Sequence, residues 1–149
     1  AMGLIINKPS DISMRLLFDK VELPLRREDL MQNPVGHGGP VQTERGFVLH
    51  PSGQQFQATL ELGELGLSTS QDTLFAIAAG QGPSQHLIAL GYAGWEAGQL
   101  ESELADNAWL SCPADLQILF DIPAEQRLSA AAARLGVNLS LLTRQAGHA

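Results

Sequence analysis

Apolar residues never run far in this chain before glycine, proline or a charge interrupts them. The longest stretches, such as Leu4-Ile5-Ile6 and Leu74 to Ala79, suit a strand or a short helix. They fall far below the roughly 20 residues that a membrane span requires. A chain punctuated this way is built from short elements, and the order of helical and extended segments decides its class.

Gly3-Leu4-Ile5-Ile6-Asn7 reads as a buried strand, broken by Pro9-Ser10-Asp11. Ser13 then caps a helix with Leu16, Leu17, Phe18 and Val21 on one face, Ile12 and Leu17 as its hydrophobic staple, and Pro24 beyond it. Val35 to Val41, a polar turn at Gln42 to Arg45, and Gly46 to His50 predict a hairpin. Phe56 to Leu62 alternates as another strand, and Leu67-Ser68-Thr69 enters a helix from Gln71 to Ala79, capped by Ser70 and closed by Gly80. His86 to Leu90 reads as a central strand, Gln99 to Asp106 as a short polar helix, and Ala108 to Cys112 as a strand. Pro123 opens a last helix through Leu135, closed by Gly136. No β-α-β rhythm repeats. The expectation is an α+β domain spanning 1–149, with a mixed, largely antiparallel sheet and helices packed outside it.

Composition narrows the function classes. A chain of 149 residues with a hydrophobic fraction of 44% fits one domain with one core. The formal net charge is -7, with nine basic residues scattered among sixteen acids. Nucleic-acid affinity rests on Lys and Arg neutralising phosphates, so direct DNA binding is not expected, nor is attraction to an anionic membrane. The single cysteine, Cys112, excludes an internal disulfide. Together with the lack of a basic leader before Ala1-Met2-Gly3, it points to a reducing, cytoplasmic setting.

The candidate motifs are each incomplete. His37-Gly38-Gly39-Pro40 has the glycines of an anion nest but opens a strand and lacks Lys-Ser/Thr, which favours a tight hairpin. Gly91 to Gly98 sits between strand and helix like a dinucleotide loop, yet its spacing is wrong and Trp95 is bulky where a pyrophosphate would approach. Its glycines are expected to bend the chain sharply while Tyr92 and Trp95 pack. Gly82-Pro83-Ser84-Gln85-His86 lacks the second glycine of a nucleophile elbow. Cys112, in an apolar stretch, reads as a buried small hydrophobe. His37, His50, His86 and His148 show no metal-ligand spacing, and no metal or cofactor is expected. His50 ends an apolar strand beside a turn, where it either reaches a cleft or bonds to nearby backbone.

Three segments together resemble the YqgE/AlgH family of bacterial proteins. They are Gly3 to Pro9; Gly38-Gly39-Pro40-Val41 with Arg45 to His50; and Leu90-Gly91-Tyr92-Ala93-Gly94-Trp95 through Gly98-Gln99-Leu100-Glu101, Glu103-Leu104, Asn107 and Trp109. Gly147-His148-Ala149 resembles the family's usual ending. The resemblance implies a sheet bent into a pseudo-barrel, and a further N-terminal segment ahead of Gly3. It implies no reaction; members of the AlgH type are labelled regulators of alginate production.

Three functions compete at this point. A non-enzymatic binding or regulatory protein would act through a protein or small-molecule partner, recognised by Gly39, Pro40, His50, Tyr92, Trp95, Gln99 and Asn107. A small-molecule hydrolase or transferase would use His50 as general base, with Arg45 or Glu103 orienting it or holding an anionic substrate. A transcriptional regulator contacting DNA would need a basic stripe that the charge balance does not suggest.

Overall fold

The computed structural model describes residues 1–140. Met2–Gly94 form one unit, and Ala1 with the residues from Trp95 onward forms another.

The first unit is built on a mixed sheet. Its elements in chain order are β1 (Met2–Gly3), β2 (Pro9–Ser13), α1 (Met14–Lys20), a 3-10 turn (Glu28–Leu30), β3 (Pro34–His37), β4 (Val41–Pro51), β5 (Thr59–Leu62), β6 (Leu65–Ser68), α2 (Gln71–Ala78) and β7 (Leu87–Gly94). The strands run in the order β2-β3-β7-β4-β6-β5, with β1 also paired to β7. Only the β3–β7 pair is parallel. The sheet is not closed, and β2 and β5 lie at its edges. Helix α1 starts where expected, because the Ser13 hydroxyl accepts from the Leu16 N–H. Met14, Leu17 and Phe18 of α1 and Ile77 and Ala78 of α2 bury against Val35, Val48 and Ile88 of the sheet. Burying a side chain of the larger kind stabilises by about 1.5–3 kcal/mol, so this cluster is the main hold on the unit.

The predicted hairpin is replaced by a crossover. β3 and β4 do not pair with each other; both pair with β7, on opposite sides. Gly38 and Gly39 carry the chain across the backbone of β7, so closely that a Cβ on Gly38 would sit 2.3 Å from the Gly91 carbonyl oxygen. One on Gly39 would lie 2.0 Å from the Tyr92 carbonyl carbon. Only glycine permits such an approach. The polar residues Gln42 to Arg45, which resemble a turn, lie within one long strand where the register against β7 shifts between Val41 and Gly46. Of the bend expected over Gly91 to Gly98, the first half is likewise strand, since β7 continues to Gly94, and the chain turns only beyond it, with Gly98 at φ 77°. The true hairpin comes later: β5 and β6 meet across Gly63-Glu64, with Leu62 opposite Leu65. Ser70 precedes α2, but its hydroxyl accepts from the Ala58 N–H instead of capping the helix.

The second unit is helical where described: α3 (Gln99–Ala105), α4 (Leu116–Phe120) and α5 (Ala124–Arg134). Asp115 caps α4 by accepting from the Gln117 and Ile118 N–H groups, and it also pairs with Arg134 of α5. Leu119 and Ala132 are buried. Residues 108–112 form no strand; the whole of 107–114 is irregular and exposed, Cys112 included. A largely apolar stretch forms a strand only where a partner supplies hydrogen bonds, and none pairs with this one. Among the described residues, no helix is long and apolar enough to cross a membrane. His148 and the ending Gly147-His148-Ala149 lie outside the described residues.

Candidate functional site

Each unit contains a polar network around one ionisable side chain, and the two differ in their access to solvent.

In the first, His50 sits on β4 opposite Gly66 of β6. It is 0% exposed, as is Ser68. The imidazole Nδ1 lies 2.8 Å from the Pro51 carbonyl oxygen, and Nε2 lies 2.8 Å from Ser68 Oγ. A carbonyl can only accept, so in the neutral ring Nδ1 carries the proton and Nε2 accepts from the Ser68 hydroxyl. Ser68 Oγ then accepts from Thr59 Oγ1, 2.8 Å away, which accepts in turn from the Phe56 N–H at 2.9 Å. The chain of bonds is directional and complete across β5, β6 and β4. Phe56 closes it with an edge-on ring contact to the imidazole at 5.8 Å. Gly66 leaves the room, because a Cβ there would stand 2.6 Å from the His50 Cε1. A serine hydroxyl bonded to an oriented histidine has the makings of an activated nucleophile. Here the hydroxyl is sealed from solvent, and both ring nitrogens are engaged.

Of the other sequence candidates of this unit, Pro40 and Arg45 line an open concavity of about 560 Å3, together with Gln42, Thr43 and Glu44. The Arg45 guanidinium lies over the Phe47 ring at 5.4 Å, and Phe47 meets Tyr92 edge to face at 5.9 Å. Gly39 serves the crossover. His86 bonds through Nδ1 to the Pro83 carbonyl, and burial holds its pKa below the ordinary 6.5, with Arg27 and His50 adding smaller repulsions.

In the second unit, Glu103 of α3 gathers three donors. Its Oε2 accepts from the indole Nε1 of Trp109 at 2.7 Å and of Trp95 at 3.1 Å, while Oε1 accepts from the Gln99 side-chain amide at 3.2 Å. Gln99 also receives the Glu96 N–H, tying the entry of α3 to the same residue. The two indoles meet at 5.9 Å and 69°. These neutral donors, Trp109 first, hold the Glu103 carboxyl below the usual carboxylate range. Asn107 follows α3 with φ of 58°, a conformation asparagine tolerates, and leads the chain back to Trp109. Trp109 is 49% exposed and Leu110 65% exposed.

Trp95, Gln99 and Glu103 are thus brought together, joined by Trp109. Arg45, Pro40 and Tyr92 share the neighbourhood of Phe47 and the bulge, and His50 is enclosed with Ser68 and Thr59, two residues that sequence reasoning did not single out. Among the described residues, no group of three His, Cys, Asp or Glu is placed to hold a metal ion.

Comparison with known proteins gives the relationships. The AlgH-like family (DUF179) matches residues 1–140. The chain belongs to the AlgH-like family. It is 66% identical to the UPF0301 protein AlgH of Pseudomonas aeruginosa over 152 residues, covering 100% of this chain and 79% of that protein. A UPF0301 protein of Stutzerimonas stutzeri is 65% identical, again with 100% of this chain and 79% of the relative covered. The solution structure of AlgH from Pseudomonas aeruginosa superposes with a TM-score of 0.79 at 67% identity, over 100% of this chain and 79% of that one. A crystal structure of a Corynebacterium diphtheriae protein, at 20% identity and a TM-score of 0.56 over 78% of this chain and 61% of that one, shares the fold.

Proposed function

We propose that this AlgH-like chain is a non-enzymatic binding protein of regulatory type, acting through a protein partner rather than through contact with DNA. The observation that carries the reading is the contrast in access between its two polar networks. The histidine suited to general-base chemistry is 0% exposed, whereas the tryptophan joined to Glu103 is 49% exposed and adjoins an exposed leucine. Large aromatic side chains that keep a polar handle and stay in solvent are favoured anchors of protein interfaces.

Cys112 offers a direct test, because it is the only cysteine, is exposed, and follows Trp109 by three positions. A photo-crosslinker attached there should trap a discrete partner from extract of the native cells, and Trp109→Ala should abolish the product. Absence of any such product, together with ester hydrolysis lost in His50→Ala, would instead establish the hydrolase reading.

A further inference from the structure

The chain's excess negative charge is concentrated in the stretch of sequence that contains the exposed tryptophan. Between Trp95 and Gln126 there are seven acids, from Glu96 to Glu125, and no Lys, Arg or His. The rest of the chain holds the other nine acids and all nine Lys and Arg, so this one segment accounts for the net charge of -7. Within it, the Glu103 carboxylate is fixed by three neutral donors that leave its charge uncancelled, with two indole rings beside it. A carboxylate has about four lone-pair directions, and three are taken, which leaves one on Oε1. A cation above an indole face is attracted by the ring quadrupole, and tryptophan is the strongest of the aromatic partners.

From this we infer that the Trp95–Glu103–Trp109 corner is a docking surface for an arginine-bearing basic segment of a partner protein. The guanidinium stacks on the indole and donates to the free lone pair of Glu103, and the carboxylates on and beside α3, those of Glu96, Glu101 and Asp106, attract the flanking basic residues. Arginine suits this better than lysine, because its flat, weakly hydrated head stacks while it donates in plane. Leu110, 65% exposed, supplies an apolar contact for the stem of such a side chain. This deepens the binding reading above and rests on it.

The test uses the full chain and a hexa-arginine peptide, with hexalysine and hexaglutamate beside it, at about 0.15 M salt, where exposed charges beyond roughly 8 Å are screened. Hexa-arginine should bind more tightly than hexalysine, and hexaglutamate should not bind. Trp109→Ala, which leaves every charge in place, should weaken hexa-arginine binding about two- to fivefold. Glu103→Gln should do so by a similar factor, whereas Glu125→Gln, which removes one charge elsewhere in the segment, should change it less than about twofold. Melting temperatures within about 2 °C of the parent establish that the variants fold. Equal losses from Glu103→Gln and Glu125→Gln, with none from Trp109→Ala, would reduce the effect to diffuse charge and overturn the inference. A crosslinked partner whose contacting segment contains no arginine would also overturn it, while leaving the binding reading intact. Absence of any crosslinked partner would remove the binding reading itself.

Discussion

The corner around His50 and the corner around Glu103 use the same chemical device in opposite settings. Each holds one ionisable side chain through hydrogen bonds to neutral partners, and each adds an edge-on aromatic contact. At His50 the partners lie on three neighbouring strands and exclude solvent, so the network fixes their register. At Glu103 the partners come from one short helix and the segments flanking it, and the network holds two tryptophans with one half in solvent. A buried polar group left without its partner costs about 1–3 kcal/mol, whereas an exposed one turns to water. The first corner is therefore expected to dominate stability and the second to dominate recognition.

The sharpest way to break that contrast is His50→Ala. It should cost about 3 kcal/mol, combining a cavity with the loss of the acceptor for the Ser68 hydroxyl proton, read as a lowered urea midpoint. A loss below about 1 kcal/mol would mean that the network does not hold the strands. Gly66→Ala drives a Cβ to 2.6 Å from an imidazole pinned at both nitrogens and should cost about 1–3 kcal/mol by the same measurement. Ser68→Ala leaves Nε2 of His50 without its donor and should cost about 1–2 kcal/mol. Trp109→Ala sits at the other pole. Its stability should stay within about 0.5 kcal/mol of the parent, as for most exposed substitutions, and a larger loss would make that residue structural.

Acidification sharpens the comparison from the other side. Because the folded-state pKa of Glu103 is depressed, its contribution is present above the ordinary 4.5 and is lost as pH falls through the lower folded value. Tryptophan fluorescence should report a transition in that window, absent from Glu103→Gln. A transition that persists in Glu103→Gln would assign the change to other carboxylates.

Much of the local structure was legible. Ser13 as a cap, Gly80 and Gly136 after their helices, and the short helix from Gln99 follow from side chains acting on their own backbone. The pairing of strands was not. Val35 to His50 has every mark of a hairpin, and its polar middle is a bulge only because β7, some forty residues later, takes both neighbouring strands. Ala108 to Cys112 is a largely apolar run without a strand to join. The charge segregation between Trp95 and Gln126 was open to reading in the sequence, and counting charges over the whole chain conceals it.

The candidate sites divide along the same line. That Trp95, Gln99, Glu103 and Trp109 meet follows largely from spacing, since Gln99 and Glu103 lie one helical turn apart and the turn after Asn107 returns the chain. That His50 is enclosed could not be read from its neighbours in sequence, because the residues that enclose it, Ser68 and Thr59, are brought in by two later strands. The sequence by itself determined the helices, the Ser13 cap, the closing glycines of α2 and α5, and an acidic, lysine- and arginine-free segment that contains Trp109. Tertiary structure alone decided which polar residue is sealed and which is presented, since solvent access depends on pairings between distant strands that no local preference encodes.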